Sequence, residues 1–472
     1  MNTRVFVGLL MALPCCVFAQ YNMGDTLVKA QRNAPIPEGD ELQWDAGGDF
    51  RVRQEIMQNL PDKSKKGGMT DMANYFRMRA RVWGKVENED FTLYGRLVDE
   101  FREYIRSSYR NYGKTPGEVV PDNLYLDLRN ILWDRVDLRI GRQDLMYGAG
   151  RIFMEGTPMD GSRSFYSDAV KAVIKIDEEN TLDFFGLYNS PYTFGWRDPD
   201  AVGPYDTLAL NGIEPWSRDM AEWGTGLYYR NNMWKEIPFE VYYVYADKSN
   251  YELVNGTRMQ GRWLNTVGAR VMPKLTDEWS MEFESAGQYG QRYGGAEVGG
   301  LMGYAGLTYA PKLDIKPKTY ATLATLYLSG DKDRGTGKEG DDEADRSWDP
   351  LWSRYTYFLS EMYAYEGFYG VCYWSNMLYP HLEVGAKWPN KHAVFASVGP
   401  MMAAVQDGAG GGDGMLHGVF ERFRYDFPLW NNIFGTRTKL FGHATIEVLQ
   451  PGDYTIADKT AYFARWEVSL AF

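Results

Sequence analysis

The 472-residue sequence predicts an all-β chain, a transmembrane antiparallel up-and-down β-barrel of about 18 strands. Three observations predict it. The chain opens on an export signal. It ends on an alternating strand that stops at Phe472. Between the two, tight and long connections follow one another with a kept parity.

Residues 1–19 read as a signal peptide. Arg4 supplies the positive start, Val5 to Ala12 the apolar stretch, and Val17-Phe18-Ala19 the small-residue cleavage positions before Gln20. Cys15 and Cys16 raise lipidation, but Pro14 stands where a small residue precedes a lipidated cysteine. Cleavage leaves Cys372 alone, so the mature chain forms no internal disulfide and must rely on its core or its ladders. The net charge of −12 argues against nucleic acid, which needs a basic face.

No apolar run after the signal approaches the ~20 residues of a membrane helix. The mean hydropathy of −0.45 looks soluble, yet aromatics make up 15% of the chain. That combination fits a barrel, in which every second strand residue meets lipid, and equally a large secreted β-protein. The C-terminus separates the two. Phe472, Leu470, Val468, Trp466, Ala464 and Tyr462 form an apolar face against Ala471, Ser469, Glu467 and Arg465. A terminal Phe after such a strand resembles the signal read by the outer-membrane barrel assembly machinery, which becomes an expected partner through Phe472.

Alternation and turn signals predict strands at 48–57, 74–87, 90–103, 122–130, 135–143, 168–177, 180–189, 222–231, 238–247, 264–273, 278–289, 298–310, 317–329, 380–388, 391–404, 415–426, 437–449 and 461–472. Short joins such as Glu87-Asn88-Glu89-Asp90, Glu178-Glu179 and Pro389-Asn390 alternate with long ones such as 104–121, 145–167, 190–221 and 330–379. The stretches 229–236 and 428–436 are long for the short set, and 290–298 is short for the long set. A soluble Greek-key sandwich has no reason to keep such parity. A membrane barrel has tight periplasmic turns on one rim and extracellular loops on the other. The expected organisation is a signal at 1–19, a periplasmic N-terminal segment at 20–47, and one barrel at 48–472 with a long extracellular loop at 330–379 that either folds into the pore as a constriction or sits above it as a lid. An even strand count puts both barrel ends on the periplasmic side.

The polar face of the strands carries the candidate function. On strand one, Asp49, Arg51, Arg53 and Glu55 oppose Phe50, Val52 and Ile56; on strand two, Arg77, Arg79 and Arg81 oppose Phe76, Met78, Ala80 and Val82. Arg96 and Glu100, Asp127 and Arg129, Asp137 and Arg139, Arg422 and Arg424, and Arg465 and Glu467 follow the same rule. An Arg at the bilayer midplane on the lipid side costs roughly 2–4 kcal/mol, so these groups are predicted to point into the lumen. Closure brings Arg51, Arg53, Arg77, Arg79, Arg81 and Arg465 to one side. They could be a polar wall laddered by Glu55, Glu100, Asp127, Asp137 and Glu467. As a group they exceed their nearby carboxylates, which favours anions, since guanidinium forks bind carboxylates. The acidic surplus is expected in loops and rims, as at Asp341-Asp342-Glu343.

The segment Leu138-Arg139-Ile140-Gly141-Arg142-Gln143-Asp144-Leu145, with Tyr147-Gly148 and Gly150-Arg151, resembles a stretch of alginate-export family barrels. Gly161-Ser162-Arg163-Ser164-Phe165, Ser329-Gly330-Asp331 and Trp348-Asp349-Pro350-Leu351-Trp352 add to the likeness, which spans most of the mature chain. The resemblance implies a monomeric 18-stranded barrel whose Arg-rich pore passes an anionic polysaccharide or its uronate fragments. It adds Arg142, Arg151 and Arg163 to the candidate pore or loop residues.

No cofactor is expected. Asp331, Asp333, Asp341, Asp342 and Asp345 could hold Ca²⁺, but their spacing is not that of an EF-hand, and a solvated acidic loop is the simpler reading. His381, His392, His417 and His443 lack metal-ligand spacing, and no Ser-His-acid arrangement marks an enzyme. Trp83, Trp133, Trp234, Trp388 and Trp430 lie near short turns and predict an interfacial girdle.

Overall fold

The computed structural model describes residues 39–60, 73–107, 118–154, 166–189, 196–197, 217–218, 221–253, 257–313, 316–333, 337–338, 340, 342–353, 375–408 and 410–472. The expected signal peptide therefore lies outside the described residues.

Eighteen long strands run in chain order: β1 Gln43–Gln58, β2 Ala73–Glu87, β3 Phe91–Ser107, β4 Glu118–Asn130, β5 Val136–Gln143, β6 Ser167–Lys175, β7 Asn180–Asn189, β8 Glu222–Asn231, β9 Phe239–Lys248, β10 Arg262–Val271, β11 Trp279–Arg292, β12 Glu297–Tyr309, β13 Lys318–Leu328, β14 Met377–Lys387, β15 Ala393–Met402, β16 Leu416–Asn431, β17 Lys439–Pro451 and β18 Ala461–Ala471. Each pairs antiparallel with the next. β18 returns to β1, with Glu467 opposite Arg53 and Arg465 opposite Glu55. Among the described residues, closure leaves no long unpaired edge.

Every predicted strand coincides with one of these, because the period-two alternation that reveals a strand also fixes its two faces. The largest difference at a start is β1, which begins at Gln43 rather than 48. Gly47-Gly48 reads as a breaker in sequence. In the barrel it is the closing seam: a Cβ on Gly47 would stand 2.4 Å from the Phe472 carbonyl oxygen, and one on Gly48 2.6 Å from that of Arg81. β14 likewise starts earlier than expected, at Met377, so the long connection is 329–376, of which 334–336, 339, 341 and 354–374 lie outside the described residues.

The outward face carries large apolar side chains on strands spread around the ring. Phe50, Val82, Leu93, Leu124, Leu227, Val267, Leu301, Leu323 and Ile446 are 41–61% exposed. Leaving such side chains in water forgoes about 1.5–3 kcal/mol each, so hydrocarbon is the matching surroundings. Trp133, Trp234 and Trp430 are exposed at the short-turn rim, as expected of a girdle, and Trp388 is half-buried. Trp83 departs from that expectation. It shares the parity of Arg77, Arg79 and Arg81, is buried, and faces the lumen beside Tyr94 at a ring distance of 6.1 Å.

Candidate functional site

The lumen has two unlike walls. On the first, Arg51, Arg53, Arg77, Arg79, Arg81, Arg422, Arg424 and Arg465 point inward from β1, β2, β16 and β18, each at most 4% exposed. The parity of each strand places them there, since the opposite choice would send guanidinium groups into hydrocarbon. Among the described residues, six carboxylates thread between these eight cations. Glu55 takes Arg53 at 3.0 Å, Arg77 at 3.2 Å and Arg465 at 2.6 Å. Glu100 takes Arg77 at 3.1 Å and Arg51 at 3.6 Å, and Glu467 lies 3.7 Å from both Arg51 and Arg53. Asp49 holds Arg81 at 2.7 Å and Arg79 at 3.4 Å. Glu447 pairs with Arg422 at 3.1 Å and Asp426 with Arg424 at 2.8 Å. The cations exceed the carboxylates they touch, so the wall stays positive, while pairing meets the desolvation cost of burying so many charges.

The other expected residues separate into distinct roles. Arg96 grips Asp122 in a fork at 2.8 and 2.7 Å. Arg129 spends itself on the short-turn rim, donating to the Asn88 carbonyl at 2.7 Å and to Thr92. Arg139 forks onto Asp127 at 2.5 and 2.7 Å and lies over the Tyr125 ring, yet keeps 30% of its side chain exposed. Asp137 pairs with Lys175 at 2.8 Å rather than with an arginine. Arg142 is a correction. Its register partners are Leu124 and Asp168, which puts it on the outward parity, where it forks onto Asp168 at 2.8 and 3.0 Å. The Gly141 backbone is left-handed (φ 121°), and a Cβ there would meet the Leu124 carbonyl at 2.3 Å; the alternation nevertheless continues through it. Arg163 lies outside the described residues.

The second wall, β7 to β12, is aromatic and carries carboxylates of its own, although the acidic surplus was expected mainly in loops and rims. Tyr228 stacks on Tyr242 at 5.5 Å and donates to Glu240 at 2.7 Å; Tyr242 donates to Glu284 at 3.0 Å. Arg270 links Glu240 and Glu282 at 3.0 and 2.9 Å.

Two connections fold in against this wall. The segment after β5 brings Tyr147 onto Tyr228 at 4.7 Å and onto Phe185 at 5.3 Å. Arg151 reaches Glu282 at 2.7 Å and Glu284 at 2.5 Å and lies over the Tyr304 ring. From the connection after β13, Trp352 stacks on Phe153 at 4.6 Å and donates to Glu222 at 3.3 Å. Asp349 pairs with Arg262 and exchanges two backbone bonds with the Gln288 side chain, at 2.8 and 2.9 Å. Burial would raise the Asp349 carboxyl, but Arg262, the Leu351 N–H and Lys248 together outweigh it and hold the carboxyl below its ordinary value.

The far-wall cluster was missed from the sequence, which leaves the 330–379 loop open between a constriction inside the pore and a lid above it; Trp348–Trp352 folds inward. The signal was present: an apolar Trp-x-Pro-Leu-Trp run inside an acidic loop has no reason to sit in water. Two of the five aspartates considered for Ca²⁺ hold protein partners, and Asp341 lies outside the described residues. Asp345 binds Arg292 at 3.0 Å, and Asp331 accepts the backbone N–H groups of Asp333 and Arg346.

The chain is similar in fold to Acinetobacter baumannii OccAB1, at 11% identity over 91% of this chain and 97% of that one, with a TM-score of 0.51. It is also similar to Pseudomonas aeruginosa OpdK, crystallised with vanillate, at 10% identity over 91% and 98% of the two chains and a TM-score of 0.51. Both are outer-membrane channels, and this chain has their closed 18-stranded architecture. No family model and no curated protein matches the chain.

Proposed function

We propose that this protein is a porin-like channel of a Gram-negative-type outer membrane, passing anionic solutes of the uronate or acidic-polysaccharide kind. The observation that carries this reading is the guanidinium excess on one inner wall of a closed barrel with an apolar exterior. Such a wall keeps the interior positive at the level a solute must cross, and its paired carboxylates keep binding weak enough for release. Because the ladder is already paired and buried, it acts first through its field; Arg139 is the more accessible contact. The short-turn rim then faces the periplasm, and the nine longer connections face outward. The reading includes export by the N-terminal signal, assembly through Phe472 and action as a monomer without a cofactor or a catalytic step. The alginate-export resemblance narrows the solute to acidic sugars, the finer part of the proposal.

Reversal potentials across a planar bilayer under a salt gradient test it. Anion preference is expected; cation preference would overturn the role given to the guanidinium wall. A second reading, a structural or glycan-binding barrel with a filled lumen, draws on the buried inward segments. Liposome swelling in glucuronate separates the two, since a filled barrel admits no solute.

A further inference from the structure

We infer that residues 145–154 and 349–353 are the two leaves of a gate, closed where they meet in the lumen and opened by their parting. The inference rests on the channel reading above.

The leaves are rooted far apart. One follows β5, which ends at Gln143; the other follows β13, which ends at Leu328. These strands are eight apart in a ring of eighteen, so the roots stand nearly opposite each other. The tips nevertheless meet. Phe153 and Met154 pair in parallel with Trp352 and Ser353. The Ser353 hydroxyl donates to the Gly150 carbonyl at 2.7 Å. The left-handed Gly148 and Gly150 (φ 56° and 81°) let the first leaf turn close against the wall, where a Cβ on Gly148 would stand 2.7 Å from the Tyr228 hydroxyl.

Among the described residues, the meeting point lies in apolar packing that reaches across the lumen. Tyr147, Phe153, Leu351 and Trp352 join one continuous buried apolar cluster that also holds Phe185 and Tyr228 on one wall and Met57, Tyr75 and Phe463 on the other. An apolar cross-section of this kind excludes water and ions together.

The leaves are also separable from the barrel. Among the described residues, no backbone–backbone hydrogen bond ties 145–154 or 349–353 to a barrel strand. Their hold on the wall runs through side chains: Arg151 on Glu282 and Glu284, Asp349 on Arg262 and Gln288, Trp352 on Glu222. These bonds can break while every strand ladder stays intact. An anionic solute carries the same chemistry as the carboxylates that hold Arg151 and Arg262, and can compete for both.

The test joins the tips covalently. Met154→Cys and Ser353→Cys, register partners in a parallel pair, are placed in a Cys372→Ser chain, with and without Phe153→Ala to weaken the closed state. Folding is checked by heat-modifiable mobility, disulfide formation by mass, and permeation by planar-bilayer conductance and glucuronate swelling. Phe153→Ala alone should raise the conducting fraction about tenfold over the parent chain, because it removes the ring stack at the seam. In that background the oxidised cysteine pair should return conductance to the parent level, and dithiothreitol should restore it. If the verified disulfide leaves conductance unchanged, the tips do not need to part; the gate is overturned and the channel stands. If no variant conducts or swells, the channel reading falls and the gate with it.

Discussion

The guanidinium wall and the aromatic wall enclose the same lumen but are built by different means. The first is intrinsic to its strands: Arg51, Arg53, Arg77, Arg79, Arg81 and Arg465 stand at alternating positions, and their carboxylate partners stand on the same strands or on strands one or two away. The second is completed by visitors, for Arg151 arrives from 131 residues before Glu282, and Trp352 from 130 residues after Glu222. Charge that belongs to a ladder is integral to folding. Charge that pins a loop to a wall can be released without unfolding. The difference separates what makes this chain a barrel from what can make the barrel open and close.

The sharpest way to break the comparison is at Glu55. It is fully buried among Arg53, Arg77 and Arg465, so Glu55→Ala leaves three guanidinium groups without their shared anion. A loss of about 3–5 kcal/mol is expected in reversible urea unfolding in detergent or lipid. A loss below about 1 kcal/mol would show that the ladder is not integral to the wall. Trp352→Ala should behave in the opposite manner. Global unfolding should move little, while an added protease cuts 145–153 faster, because only a leaf is loosened. Equal loss of barrel stability would mean that the leaves are part of the fold.

A smaller effect is expected on selectivity. Arg79→Gln with Arg81→Gln removes two positive groups beside Asp49, and the anion reversal potential should move toward zero. An unchanged potential would make both residues structural. The smallest effect is expected at Arg142. On the outward parity, Arg142→Ala should leave selectivity untouched and cost at most about 1 kcal/mol, through its partly exposed pair with Asp168. A shift in selectivity there would contradict the register.

How much was legible followed from how local the signal was. Alternation is a property of neighbours in sequence, so strands, closure and the inward set Arg51 to Arg81 could be read before any fold was known. The same rule, counted through Gly141, places Arg142 outward; the family likeness had grouped it with the pore. Trp83 was assigned to the rim by its nearness to a turn, whereas its parity with Arg81 already pointed inward. That Glu55, Glu100 and Glu467 could ladder the arginines was legible; which acid takes which guanidinium was not, because Glu100 reaches Arg51 from two strands away and Glu467 reaches it across the closing seam.

By itself, the sequence determined a closed β-ring with a greasy outside and a charged inside, because a period of two admits only two faces and hydrocarbon accepts only one of them. Only the tertiary structure decided what fills that inside: which acid answers which guanidinium, and that two distant connections meet as Phe153 on Trp352. Those contacts depend on the path of the loops through space, and neither alternation nor propensity records that path.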